Sequence, residues 1–457
     1  MSTKTVNVST IFDTGRFSLL QHLTIGFCVL ITLLDGFDLT IIGLAIPKIR
    51  ESLDISTAAL GIAVGVSQIG PVVGALLLGA LGDRLGRKWM LVVCAFVFGV
   101  FTLLIGTIND VEQLAIYRFI SGVGLGGAIP NALALGSEYA PRRIRSTIVS
   151  TMYAGVPGGA TIGGLCGAFL IPAFGWQSLF FVGGSITILV TFIVAALLPE
   201  SLEFLIQRGK DERRIRKIVA RISPEYAVEN IQFRSQYTKA KGAPVANLFT
   251  EGRAFVTILV WAICGIAMYL VWILNAWAPT LLKEAGASVM QYSFGYAGLM
   301  FGAALASVAI GLLMDKKNPF LVLQIGFVLA AISLIGFGLV AGTTFALMLL
   351  MCIVCGMCIN GSQTGTMALA TNSYSPALRT TGVGAAYAVG KAGAILAPVI
   401  GGFMLDAGFT VFWVCAVNAV VGLVVVACAT ILKRSSAAKR VTSEIHKARA
   451  DKARSAT

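Results

Sequence analysis

Two carboxylates stand three residues apart inside an apolar run, Leu34-Asp35-Gly36-Phe37-Asp38-Leu39-Thr40. On a helix that spacing puts Asp35 and Asp38 on one face. A carboxyl is costly to ionise in hydrocarbon and a like charge beside it adds to the cost, so such a pair can take up and release a proton. Two cations occupy similar surroundings. Arg118, in Tyr117-Arg118-Phe119, is a near-permanent charge that can pair with Asp35 or Asp38 or attract an anionic solute. A local pairing with Asp110 or Glu112 is the structural alternative. Lys391, in Val389-Gly390-Lys391-Ala392, presents a point charge suited to a solute carboxylate or to a salt bridge inside the protein.

Aromatic and amide groups accompany these charges. Tyr269, Trp272 and Asn275 share one apolar segment and can wall and orient a ring, whereas Trp277, nearer its end, reads as part of an interfacial aromatic belt. Asn360 and Gln363 can hydrogen-bond a solute or reach across to another helix. Nothing here assembles into an enzyme. Gly122-Val123-Gly124-Leu125-Gly126-Gly127 fits the letters of a dinucleotide loop, but no strand precedes it. Cys352, Cys355 and Cys358 have iron–sulfur spacing without a fourth ligand, and packing is the simpler reading. No cofactor is expected beyond the proton as coupling ion. His22 and His446 lie too near the entry and the tail to relay protons.

The elements that position these residues are membrane helices. Of 457 residues, 57% are hydrophobic and 12% charged, which excludes an ordinary soluble surface. Twelve apolar segments are each long enough to cross a bilayer, with cores at 19–44, 58–80, 89–108, 112–136, 147–172, 177–198, 254–278, 290–313, 319–341, 344–370, 380–404 and 409–432. Continuous apolar runs exclude a barrel, so an all-α membrane protein follows. The net charge of +14 does not point to nucleic acid. Lys48, Arg50 and Lys283 alone fall in one set of alternate loops, Arg118 and Lys391 lie within helices, and every other Lys and Arg falls in the opposite loops and the tails. That bias predicts cytoplasmic termini, with the basic tail facing anionic lipid. The first apolar segment is too long for a signal-peptide core, and composition favours a bacterial inner membrane. The nine cysteines lie almost wholly in apolar helices and read as reduced packing residues.

The polar interval 199–253 divides six helices from six. The expected organisation is an arm 1–18, a bundle 19–198, a cytoplasmic linker 199–253, a bundle 254–432 and a basic tail 433–457. Asp211 to Arg221 can form a short amphipathic surface helix. Glu138-Tyr139-Ala140-Pro141 with Arg145 has a partner in Ser373-Tyr374-Ser375-Pro376 with Arg379, and Gly79-x-x-x-Asp83-Arg84 in Gly311-x-x-x-Asp315-Lys316. Two echoes in register imply a duplicated six-helix unit and two pseudo-symmetric bundles. Such halves hold a solute at the midplane and expose it alternately to each side.

Gly79-Ala-Leu-Gly-Asp83-Arg84-Leu85-Gly86-Arg87-Lys88 resembles the G-x-x-x-D-R-x-G-R-K loop of the major facilitator superfamily. The resemblance implies a conformational latch of Gly79, Asp83, Arg84, Gly86 and Arg87, with Glu138 able to join the Arg142 to Arg145 cluster. Arg118-Phe119-x-x-Gly122-x-Gly124-x-Gly126 is similar to another superfamily segment, and Pro199-Glu200-Ser201 to a third. Asp35-Gly36-x-Asp38, Asn275-x-Trp277-x-Pro279-Thr280-Leu281-Leu282 and Asn360-Gly361-x-Gln363 resemble the aromatic acid:proton symporter family within it. That resemblance implies a proton-coupled importer of small aromatic carboxylates of the benzoate, hydroxybenzoate, protocatechuate or gentisate class. Asp35, Asp38 and Arg118 would couple the proton, and Lys391, Arg118, Tyr269, Trp272, Asn275, Asn360 and Gln363 would bind the substrate. The family commonly has arginine where Lys391 stands, which changes the binding geometry and keeps the preference for anions. The runners-up are a symporter of nicotinate or a muconate-like acid and a proton-driven exporter. The implied partners are the carboxylate, protons and lipid, with a monomeric carrier.

Overall fold

Long uninterrupted apolar sequence leaves each segment one way to satisfy its own backbone in lipid, and the computed structural model is correspondingly helical. It describes residues 4–13, 17–209, 212–226, 231–234, 245–250, 253–316, 319–374 and 378–434. Among the described residues twelve helices are long: α1 Leu19–Leu53, α2 Thr57–Gly79, α3 Arg87–Ile105, α4 Val111–Tyr139, α5 Arg145–Phe174, α6 Gln177–Leu197, α7 Ala254–Glu284, α8 Val289–Lys316, α9 Pro319–Val340, α10 Phe345–Ser373, α11 Arg379–Asp406 and α12 Val411–Arg434. Among the described residues, eleven of them qualify by length and hydropathy to cross a membrane, and α8 is a further helix of 28 residues.

The helices are not ideal rods. Pro71 cannot donate to the ladder of α2, which is irregular at Gln68 and passes through a π-turn at Ala75–Gly79 before continuing as Ala80–Leu85. Asp110 caps α4, accepting from the Gln113 N–H at 2.7 Å.

The chain divides into two compact units, residues 1–41 with 66–240 and residues 42–65 with 241–457. The first unit carries more than membrane helices. A helix Glu212–Ile222 buries Ile215, Ile218, Val219 and Ile222, the apolar face of the amphipathic stretch expected there. Those residues share a core with Ile11 and Phe12 of the N-terminal arm and with Tyr139, Leu202 and Leu205. Strand β1, Lys4–Asn7, pairs in parallel with β2, Ile231–Arg234, with Lys4 opposite Ile231. This ribbon is a small addition to an otherwise helical fold.

In the second unit, residues 42–65 pack on α7 and α11. A Cβ at Gly61 would stand 2.5 Å from the Pro398 carbonyl oxygen, so glycine is what allows that approach. The Asp406 carboxylate accepts the N–H groups of Thr57 and Ala58 at 3.0 and 2.9 Å, capping α2 from the end of α11. Arg50 meets Glu284 at 2.9 Å, and Lys283 pairs with Glu51.

Candidate functional site

In the first unit the ion pair is built from α1 and α4. Arg118 Nη1 donates to Asp38 Oδ2 at 2.6 Å, and Nη2 donates to the Asp38 backbone carbonyl at 3.3 Å. The Thr102 hydroxyl on α3 donates to the other carboxylate oxygen at 3.0 Å. The two side chains are 6% and 2% exposed, so this is a dry, charge-assisted pair. Asp110 and Glu112, the structural alternative for Arg118, are not its partners: Asp110 is spent on the helix cap. Asp35 lies one turn earlier on α1, buried at 4% exposure. Thr102 is a site residue that the sequence motifs do not mark; a hydroxyl in the apolar third segment is the signal that could have found it.

Such a pair can switch. Protonating Asp38 removes the charge that holds Arg118, leaving a buried cation free to attract an anion. Gly36, between the two aspartates, makes room for this arrangement, because a Cβ there would collide with the Val156 carbonyl of α5. Gly159 does the same against the Leu33 carbonyl. Backbone therefore lies on backbone beside the carboxylates.

In the second unit Lys391 is half-buried on α11. Its Nζ lies 5.7 Å from the Trp272 ring centroid and 5.6 Å from that of Tyr387. Among the described residues it forms no ion pair. Tyr269 is buried at 9% exposure. Gln363 reaches across from α10, its Nε2 3.7 Å from the Met268 sulfur, whereas Asn360 donates to Gly356 on its own helix at 3.3 Å. Pro279 has no N–H for the Asn275 carbonyl, and the Tyr296 hydroxyl donates there instead at 3.3 Å. Among the described residues the Asn275 Oδ1 has no hydrogen-bond partner, and it is enclosed.

Trp277 corrects the expectation of an interfacial belt. It is fully buried and donates from Nε1 to the Pro398 carbonyl at 3.0 Å, beside a Gly401 that leaves space for its ring. An indole N–H with a carbonyl partner has no need of the membrane surface.

The residues expected to form a latch gather at the other end of the first unit. Glu138 pairs with Arg87, whereas Arg145 donates to the Ala140 carbonyl at 3.4 Å. The acidic end of α4 therefore reaches the first residue of α3; the Arg142 side chain lies outside the described residues. Gly86 adopts φ 107°, a conformation that favours glycine, and lies against the Glu200 carboxylate. Glu200, 3% exposed, accepts the N–H of Lys88 at 3.0 Å and that of Ser201 at 2.9 Å, so it caps α3 from the segment after α6. The Arg84 carbonyl accepts from Arg208, and Gly79 closes the π-turn. The Asp83 side chain lies outside the described residues. Glu200→Ala is expected to lower the thermal midpoint of the purified protein, since each buried cap removed costs about 1–2 kcal/mol; an unchanged melting curve would show the cap to be idle.

A profile of the Major Facilitator Superfamily matches residues 28–361 and again 260–454. The chain belongs to the Major Facilitator Superfamily. This facilitator is 35% identical over 430 residues to the 4-hydroxybenzoate transporter PcaK of Pseudomonas putida, covering 92% of this chain and 96% of that protein. It is 31% identical over 433 residues to the benzoate transport protein of Acinetobacter baylyi, strain ATCC 33305 / BD413 / ADP1, covering 92% of each. Those similarities place the facilitator in the branch of aromatic acid transporters. Its fold matches a bacterial homolog of the human lysosomal transporter Spinster with a TM-score of 0.71, covering 90% of this chain and 97% of the other, at 16% identity. It is a multi-pass membrane protein.

Proposed function

We propose that this facilitator imports small aromatic carboxylates with protons, by alternating access, across a bacterial inner membrane with both termini cytoplasmic. The observation that carries the reading is the Asp38–Arg118 pair, 2.6 Å long and sealed from solvent among apolar helices. An ion pair in such a place contributes little net stability, because desolvation offsets the attraction, so it invites a functional account. Proton uptake at Asp38 releases Arg118. Lys391, which has no carboxylate partner among the described residues, binds the substrate carboxylate. Asp35 assists the proton step, and Trp272, Tyr269, Asn275, Asn360 and Gln363 shape the space for the ring. Protonation supplies the differential affinity between states that coupled transport requires. The relatives' substrates, 4-hydroxybenzoate and benzoate, are monocarboxylates on one ring and suit a single lysine. The Arg87–Glu138 pair, with Gly86 and Glu200, acts as the conformational latch.

The test is uptake of labelled 4-hydroxybenzoate by the purified protein in liposomes. Accumulation is expected to rise with an inward proton gradient, by about tenfold per pH unit for each proton carried. A rate and a final level indifferent to pH difference and voltage would remove the coupling.

A further inference from the structure

Lys391 is flanked by two aromatic faces, and one of them belongs to a residue that no motif marks. Tyr387 precedes Lys391 by four residues on α11, so the two share a helix face. Its ring centroid lies 5.6 Å from the ammonium nitrogen, and the residue is 47% exposed. An exposed tyrosine in a membrane helix has a plain explanation if it faces lipid. The lipid-type stripe of α11 lies elsewhere: Leu396, Ile400 and Phe403 are large, apolar and 52%, 40% and 55% exposed. At about 100° per residue, that stripe lies on the order of 150° round the helix from Tyr387 and Lys391. Tyr387 is therefore exposed on the face that carries the lysine, not on the one that meets hydrocarbon.

We infer that Tyr387 is a specificity-determining residue: it stacks on the substrate ring while Lys391 holds the carboxylate, and so selects aromatic over saturated acids. The inference rests on the reading of Lys391 as the carboxylate partner. A benzoate-type anion placed with its carboxylate on Nζ brings its ring within one carbon–carbon bond of that group, beside the rings that already face the ammonium. Trp272, half-buried on α7, contributes the facing wall at 5.7 Å. An aryl ring can stack offset or edge-on against both, whereas a cyclohexyl ring of similar size has no quadrupole to match. The lysine alone cannot make this distinction, because it meets the same carboxylate in both acids.

The experiment compares benzoate with cyclohexanecarboxylate as competitors of labelled 4-hydroxybenzoate, using the full-length protein in lipid nanodiscs. The unmodified protein is expected to prefer benzoate by about tenfold, and Tyr387→Leu to reduce that ratio to about twofold. Tyr387→Phe, which keeps the ring, should retain the preference, and Lys391→Met should weaken both acids together. An equal ratio in the unmodified protein and Tyr387→Leu would overturn the role of Tyr387 and leave carboxylate transport standing. So would absence of any preference in the unmodified protein, a measurement that needs no variant to fold. Failure of the unmodified protein to bind any of the three acids would instead overturn the transport reading itself.

Discussion

Asp38→Asn is expected to abolish uphill uptake while leaving exchange of substrate across the membrane measurable. Asparagine keeps the size of the side chain and one oxygen able to accept from Thr102 and Arg118, which donate to the carboxylate at 3.0 and 2.6 Å. It cannot carry a proton. A carrier with that substitution has no charge to exchange, so its accumulation ratio should fall to unity under a gradient that drives about tenfold accumulation per pH unit in the unmodified protein. Counterflow, which needs no net proton movement, separates a lost coupling step from a lost fold. That control matters because Arg118 is left as an unpaired buried cation, a change that costs about 3–5 kcal/mol. Asp35→Asn is the companion experiment, since Asp35 shares the helix face and is buried to a similar degree. Unimpaired accumulation in both variants would remove the two carboxylates from coupling.

The same physics explains how much of this site is legible in sequence. Charge in hydrocarbon is conspicuous, so Asp35, Asp38, Arg118 and Lys391 stand out by residue type alone against their apolar neighbours. Which partner each takes is a matter of helix packing, and sequence leaves Arg118 with four candidates. The fold selects Asp38 and adds Thr102, a small hydroxyl that no pattern distinguishes from the packing threonines on other helices. Tyr387 is hidden for a related reason: a tyrosine in an apolar helix is unremarkable until its neighbours are known. Trp277 shows the reverse error. Its position near a helix end suggests a membrane interface, yet a carbonyl partner at Pro398 makes burial the better solution. Glu138 likewise lies beside a basic cluster in sequence and pairs across space with Arg87.

The helical segmentation is easier to read, because length and hydropathy fix it locally. Membership of the compact units is not. Residues 42–65 belong with the second unit although they lie deep in the first half of the chain. The cause is distributed over contacts that only a fold reveals: glycine at 61 against Pro398, and the Asp406 carboxylate over the start of α2. Such pairings leave no periodic trace.

Neighbouring glycines on α5 offer the sharpest test of how Asp35 and Asp38 are held. A Cβ at Gly158 would meet nothing within 4 Å, whereas one at Gly159 would collide with the Leu33 carbonyl, and one at Gly36 with the Val156 carbonyl. Backbone cannot yield as a flexible side chain can, so α1 and α5 would have to separate. Overpacking of this kind costs about 1–3 kcal/mol or more, and here it also shifts the turn that carries Asp35 and Asp38. Gly159→Ala and Gly36→Ala are expected to lower the thermal midpoint markedly and to eliminate gradient-driven uptake, each by a single methyl group. Gly158→Ala should behave as the unmodified protein, or slightly better, because alanine favours helix over glycine by about 1 kcal/mol. Equal effects at 158 and 159 would mean that general helix propensity, not the close approach of the two backbones, governs this region, and the positional account of the aspartates would fail with it.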